Sequence, residues 1–169
     1  AEAPKQFSAI YATGKITITS VDDDAADSLN ITVNGKTEAT TGSEYTYGIY
    51  AKGGIDISDI AVDITVATSD AYAFAIAGNG TSTFENVTGS IDGGNRAIQV
   101  GNYAFTFTGC DLTLTGGEKA IQAKNENSQV TISSGTIRAL LNPNYGGPQI
   151  GDNDGFGVKA TRLTVSSGA

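Results

Sequence analysis

Histidine, methionine and tryptophan are absent from the 169 residues, and cysteine occurs once. Without histidine there can be no Ser-His-Asp triad, no Cys-His pair and no imidazole-ligated zinc. A single cysteine rules out an internal disulfide framework. Positive charge is scarce too: 10 Lys and Arg stand against 18 Asp and Glu, a net charge of −8. Nucleic-acid recognition needs clustered cations, so no such partner is expected. No apolar run approaches the ~18 residues that span a bilayer, and no membrane insertion is expected. The chain opens Ala1-Glu2-Ala3-Pro4 without methionine. Signal cleavage leaves such a terminus, as does excision from a longer chain; the first origin implies secretion, to the cell surface or beyond.

What is abundant is glycine, 22 residues, scattered with Thr, Ser, Asn and Asp between short apolar pairs. That composition favours many brief strands joined by tight turns. At 17.2 kDa the chain is the size of one domain and long enough to bury a continuous core. Charge is unevenly spread. Residues 1–85 hold 12 acidic and 4 basic side chains, whereas residues 86–169 hold 6 of each.

An internal repeat decides the expected fold. Ile98-Gln99-Val100 superposes on Ile121-Gln122-Ala123 at an offset of 23, which also brings Phe84 onto Phe107 and Ile91 onto Leu114. One column reads Ile10, Ile49, Phe74, Ile98, Ile121, Val158. A second reads Ile18, Ile57, Phe84, Phe107, Ile132, Val165, and a third Ile31, Ile64, Ile91, Leu114, Ala139. Spacings in the second column are 39, 27, 23, 25 and 33, the signature of a two-dozen-residue coil carrying insertions. Within each coil the apolar residues alternate, as in Ile16-Thr17-Ile18-Thr19, which puts one set inward and the other into solvent. Three short strands per coil, stacked like on like, make an all-β parallel solenoid of about six coils with no helices. The sequence divides into a tail at 1–9, able to act as a donor strand, and one solenoid at 10–169. Insertions interrupt the solenoid at 22–28, 34–46 and 141–155.

This pattern resembles the right-handed parallel β-helix superfamily over nearly the whole chain. Gly48-Ile49-Tyr50-Ala51 and Thr113-Leu114-Thr115-Gly116-Gly117 are similar to repeats of bacterial surface proteins and carbohydrate-binding β-helices. The resemblance implies a fold, a surface location and contact with polysaccharide. It also raises the pectate-lyase type of enzyme, in which acidic ladders hold calcium and an Arg or Lys acts as base. Here Arg96, Arg138 and Arg162 fall in different columns and none lies beside an aligned carboxylate set, so no enzyme is expected.

Several residue groups are candidates for binding. Calcium takes several oxygen ligands including carboxylates, and Asp22, Asp23 and Asp24 form one acidic cluster, Asp152 and Asp154 another. Acidic turn residues also simply make soluble loops. An outward column reading Tyr11, Tyr50, Ala75, Gln99, Gln122, Lys159 offers tyrosine rings and amides to a sugar chain, or merely stabilises the stack. Thr17, Asp56, Thr83, Thr106, Thr131 and Thr164 form a Thr-rich rank resembling the ice-binding face of solenoid antifreeze proteins, broken by Asp56. Three Asn-x-Thr acceptors, at Asn30, Asn79 and Asn86, fit N-glycosylation. Cys110 aligns with Ile60 and Val87, which predicts a buried thiol.

The ends carry the main functional expectation. A solenoid needs caps, because a terminal coil bares unpaired backbone and apolar side chains. Leu163-Thr164-Val165 is followed by no amphipathic helix, and only Ala1–Phe7 precedes the first coil. The expected partner is a second copy stacked head to tail, with Phe7, Leu163 and Val165 as the assembly residues.

Overall fold

The computed structural model describes residues 6–21, 27–34, 45–67, 72–123, 125–143 and 156–169. These residues wind through six successive coils. The first contains β1 (Gln6–Ala12), β2 (Ile16–Thr19) and β3 (Ser28–Asn34); the second, β4 (Tyr45–Ala51), β5 (Ile55–Ser58) and β6 (Ala61–Ala67). The third contains β7 (Tyr72–Gly78), β8 (Ser82–Glu85) and β9 (Thr88–Gly93); the fourth, β10 (Arg96–Val100), β11 (Ala104–Thr108) and β12 (Cys110–Gly116). The fifth has β13 (Lys119–Ala123), β14 (Gln129–Ile132) and β15 (Gly135–Leu141), and the sixth β16 (Phe156–Lys159) and β17 (Arg162–Val165). Each strand pairs in parallel with its counterpart one coil away, so every third strand shares a sheet. Two sheets have six strands and the third, running β3-β6-β9-β12-β15, has five. The described residues form no helix: this is a parallel β-helix.

Stacked side chains fill the interior. Ile18, Ile57, Phe84, Phe107, Ile132 and Val165 stand in register across the second sheet, as the repeat predicts. Ile31, Ile64, Ile91, Leu114 and Ala139 do the same across the third. A further second-sheet column interleaves sizes: Ile16, Ile55, Ser82, Phe105, Val130, Leu163. Small Ser82 leaves room for Phe105, whose ring sits 4.9 Å from both Phe84 and Phe107. The buried Ser82 hydroxyl is satisfied, accepting from Ile55 N at 2.9 Å and donating to Gly80 O at 3.1 Å.

The first sheet corrects one expected column. Ile76, not Phe74, stands between Ile49 and Ile98, and Ala77 replaces Ala75 in the outward column between Tyr50 and Gln99. The reason is a break in the alternation. Ala75 and Ile76 both pack into the core, whereas Phe74 and Ala77 belong to a separate cluster with Tyr47 and Tyr50 on the outer face. The extra inward position is small in every coil: Ala9, Gly48, Ala75, Ala97, Ala120, Gly157. A Cβ at Gly48 would lie 2.6 Å from Ala75 O, so backbone crowding sets that size limit.

The corner between the second and third sheets is a ladder of left-handed residues. Asp59 (φ 55°), Asn86 (φ 51°) and Gly109 (φ 64°) turn the chain at matching points in successive coils. Asn86 Nδ2 donates to Asp59 Oδ1 at 2.9 Å and Asn86 N to Thr108 O at 2.8 Å, joining one corner to the next. Asp, Asn and Gly are the residues that tolerate this conformation.

Candidate functional site

The outer face of the first sheet gathers the aromatic residues. Tyr11 and Tyr50 are coil neighbours with ring centroids 5.7 Å apart and planes inclined by 33°, so they make no flat platform. Tyr45, Tyr47 and Tyr50 stack more nearly parallel: Tyr45–Tyr47 at 6.1 Å and 8°, Tyr47–Tyr50 at 4.8 Å and 18°. Tyr47 and Phe74 are buried, Tyr50 is half-buried and Tyr11 is exposed. Burial, reinforced by Tyr50 and Tyr45, pushes the Tyr47 hydroxyl well above its ordinary range, so it stays protonated. Tyr50 OH accepts a hydrogen bond from Asn79 Nδ2 at 2.9 Å.

Gln99 and Gln122 continue the column of Tyr11 and Tyr50. Gln99 Oε1 is engaged by Arg96 Nη1 at 2.6 Å. Gln122 Oε1 is buried without a hydrogen-bond partner among the described residues. Neither amide oxygen of the expected pair is therefore open to a ligand, one being engaged and the other covered.

Next to the aromatic cluster lies an ionic one that the sequence did not reveal. Arg96, Glu118 and Lys119 are all buried. Glu118 Oε2 is 3.1 Å from Arg96 Nη2, and its Oε1 accepts from Lys119 Nζ. The Arg96 guanidinium lies 5.2 Å over the Phe74 ring. Burial pushes the Glu118 carboxyl up, but the Lys119 hydrogen bond and the two cations outweigh it and hold the group below its ordinary value. Phe74, expected in the core column, instead shares an outward column with Arg96 and Lys119.

The second sheet presents the Thr ranks in the expected register: Thr17, Asp56, Thr83, Thr106, Thr131, Thr164. Asp56 accepts from Thr83 N at 3.1 Å and pairs with Lys15 at 2.5 Å, so an ion pair interrupts the hydroxyl array. Asp22, Asp23, Asp24, Asp152 and Asp154, the expected calcium ligands, lie outside the described residues, as does most of each insertion. Among the described residues no group of three or more His, Cys, Asp or Glu could hold a metal. Cys110 is fully buried, its Sγ 3.4 Å from Phe84 O.

Leu163 and Val165 occupy inward columns, in register with Val130 and Ile132, yet are 49% and 57% exposed. Leu141, last in the inward column Val66, Gly93, Gly116, is 38% exposed. At the opposite end Phe7 is 52% exposed and heads a column that continues through Thr46 to the buried Ala73. Strand β1 begins at Gln6, so Phe7 is already paired within its own chain, on a strand with one edge open. Elsewhere in the stack those positions are closed by the adjacent coil; at these two ends the described residues include no further coil.

No family model, curated protein or solved structure matches this chain.

Proposed function

We propose that the chain is a non-enzymatic, extracellular structural subunit that associates with copies of itself end to end, building a fibre or matrix. The observation that carries this reading is the exposure of Leu163 and Val165 at positions whose column mates Val130 and Phe107 are sealed in the core. Burying such a side chain completely is worth about 1.5–3 kcal/mol. Among the described residues β16 and β17 lie at the edges of their sheets, and an edge strand is a template for another strand. A head-to-tail contact of this type does not close, so its product is a filament.

Electron microscopy of the concentrated protein, with and without a calcium chelator, tests the reading. Filaments with an axial repeat of about 29 Å, six coils at ~4.8 Å each, are expected. Disassembly by the chelator would give calcium a role in the contact, and Asp22, Asp23, Asp24, Asp152 and Asp154 are the ligands proposed for it. Dispersed single particles at all concentrations would overturn the proposal.

A second reading, a polysaccharide-binding β-helix module of the cell surface, is favoured by the exposed Tyr11 ring beside the stacked Tyr47–Tyr50 pair. Aromatic faces stack on sugar rings. Retardation in gels containing soluble polysaccharide, lost in Tyr11→Ala/Tyr50→Ala, would support it. Equal mobility with and without polysaccharide would sink it.

A further inference from the structure

We infer that Tyr11 and Tyr50 form an oxidative modification site, where a haem peroxidase using hydrogen peroxide joins the two rings as a dityrosine cross-link within one chain. The inference is independent of end-to-end association. Both rings belong to one copy and stand side by side on the outer face of the first sheet.

Composition narrows where oxidation can fall. The sequence holds no Met, Trp or His, and the single Cys110 is sealed in the core. The side chains that ordinarily react first are therefore missing or out of reach. Tyrosine is the readily oxidised side chain that remains, and Tyr11, Tyr45, Tyr47 and Tyr50 gather on one face. Within that group Tyr47 is covered, and burial keeps its hydroxyl protonated. A phenol that loses an electron must also release its proton, so Tyr47 is a poor donor, and Tyr45 stacks on that covered ring. Tyr11 is 49% exposed and admits an oxidant. Its partner in register on the next strand is the half-buried Tyr50, with ring centroids 5.7 Å apart. Tyr103 is exposed too, but it has no tyrosine ring beside it among the described residues.

The step balances. Each phenol gives up one electron and its hydroxyl proton; the peroxide O–O bond breaks, takes up both electrons and both protons, and leaves as two waters. A carbon–carbon bond forms between the ring carbons ortho to each oxygen, and the hydrogens displaced there restore the two hydroxyls. Asn79 Nδ2 donates to the Tyr50 oxygen at 2.9 Å and can go on donating once the hydroxyl proton has left. The ring edges must close from their present separation to bonding distance, a movement that the exposed Tyr11 supplies by side-chain rotation. Holding both phenols on neighbouring strands gives each an effective concentration far above that of a second copy in dilute solution.

Dilute protein treated with a haem peroxidase and hydrogen peroxide tests the site. Expected are dityrosine fluorescence, an intact mass lower by two hydrogens with no dimer on denaturing gels, and a cross-linked peptide containing Tyr11 and Tyr50. Tyr11→Phe and Tyr50→Phe should each cut the fluorescence of the monomer by about ten-fold, since neither keeps the placed pair. Tyr103→Phe should leave it unchanged, and circular dichroism checks that each variant keeps its β-structure. Unfolding in urea before oxidation should abolish the Tyr11–Tyr50 peptide, because strand register brings the two rings together. Full fluorescence in Tyr11→Phe, dityrosine confined to dimers, or none in the wild type would overturn the site.

Discussion

Glu118 joins Arg96 to Lys119, one carboxylate bridging two buried cations that stand one coil apart. Removing one partner of a buried ionic group is strongly destabilising, because the charges that remain are still desolvated. Glu118→Gln should lower unfolding free energy by about 3–5 kcal/mol, measured by urea denaturation at neutral pH. A loss below 1 kcal/mol would show the cations to be adequately served without the carboxylate.

The same group sets an acid response. The folded carboxyl sits below its ordinary value of 4.5, so its contribution to stability is complete above that pH and fades as pH falls through the lowered value. Between about pH 6 and about pH 3 the wild-type urea midpoint should therefore fall more steeply than that of Glu118→Gln. Parallel profiles would assign the acid response to other carboxylates.

Leu163→Asp and Val165→Asp should disperse filaments while leaving the monomer folded. Both side chains are about half covered by the coil beneath, so each replacement costs the monomer on the order of 1 kcal/mol and leaves it folded. Sedimentation velocity would record the change from polymer to a single slow species, with circular dichroism confirming retained β-structure. Filaments that survive both substitutions would remove these residues from the contact.

Gly89→Ala should be among the most damaging single changes in the chain. Gly89 adopts φ 117°, and a Cβ there would sit 2.1 Å from Val62 O, on the adjacent strand. Strain of this kind costs on the order of 1–3 kcal/mol before any backbone shift. A thermal melt that moves by less than about 2 °C would contradict the tight approach of β9 to β6.

The Cys110 thiol should be silent towards aromatic disulfide reagents in the native protein and react only on unfolding. Burial raises its pKa, and its neighbours are Phe84 and the core. Rapid labelling under native conditions would mean that the fourth coil opens.

The second and third inward columns were legible because each position alternates strictly and carries Ile, Val, Leu or Phe in nearly every coil. The first sheet was not. Phe74 and Ile76 are two residues apart and both apolar, so period alone assigns either to the core; the deciding signal was the rank of Ala and Gly at 9, 48, 75, 97, 120 and 157. Reading that rank as a double inward step would have placed Phe74, Arg96 and Lys119 together outside the core. Their burial there was still beyond the sequence, since alternation says which face a side chain takes and not what covers it. Tyr11 and Tyr50 were found as neighbours, but the 33° between their planes depends on side-chain packing that no pattern encodes.

Because like stacks on like, coil by coil, a change at one position is felt chiefly by the coils on either side of it. A coil added to or taken from the middle of the stack would leave the remaining columns in register. The length of this rod is free to vary where its cross-section is not.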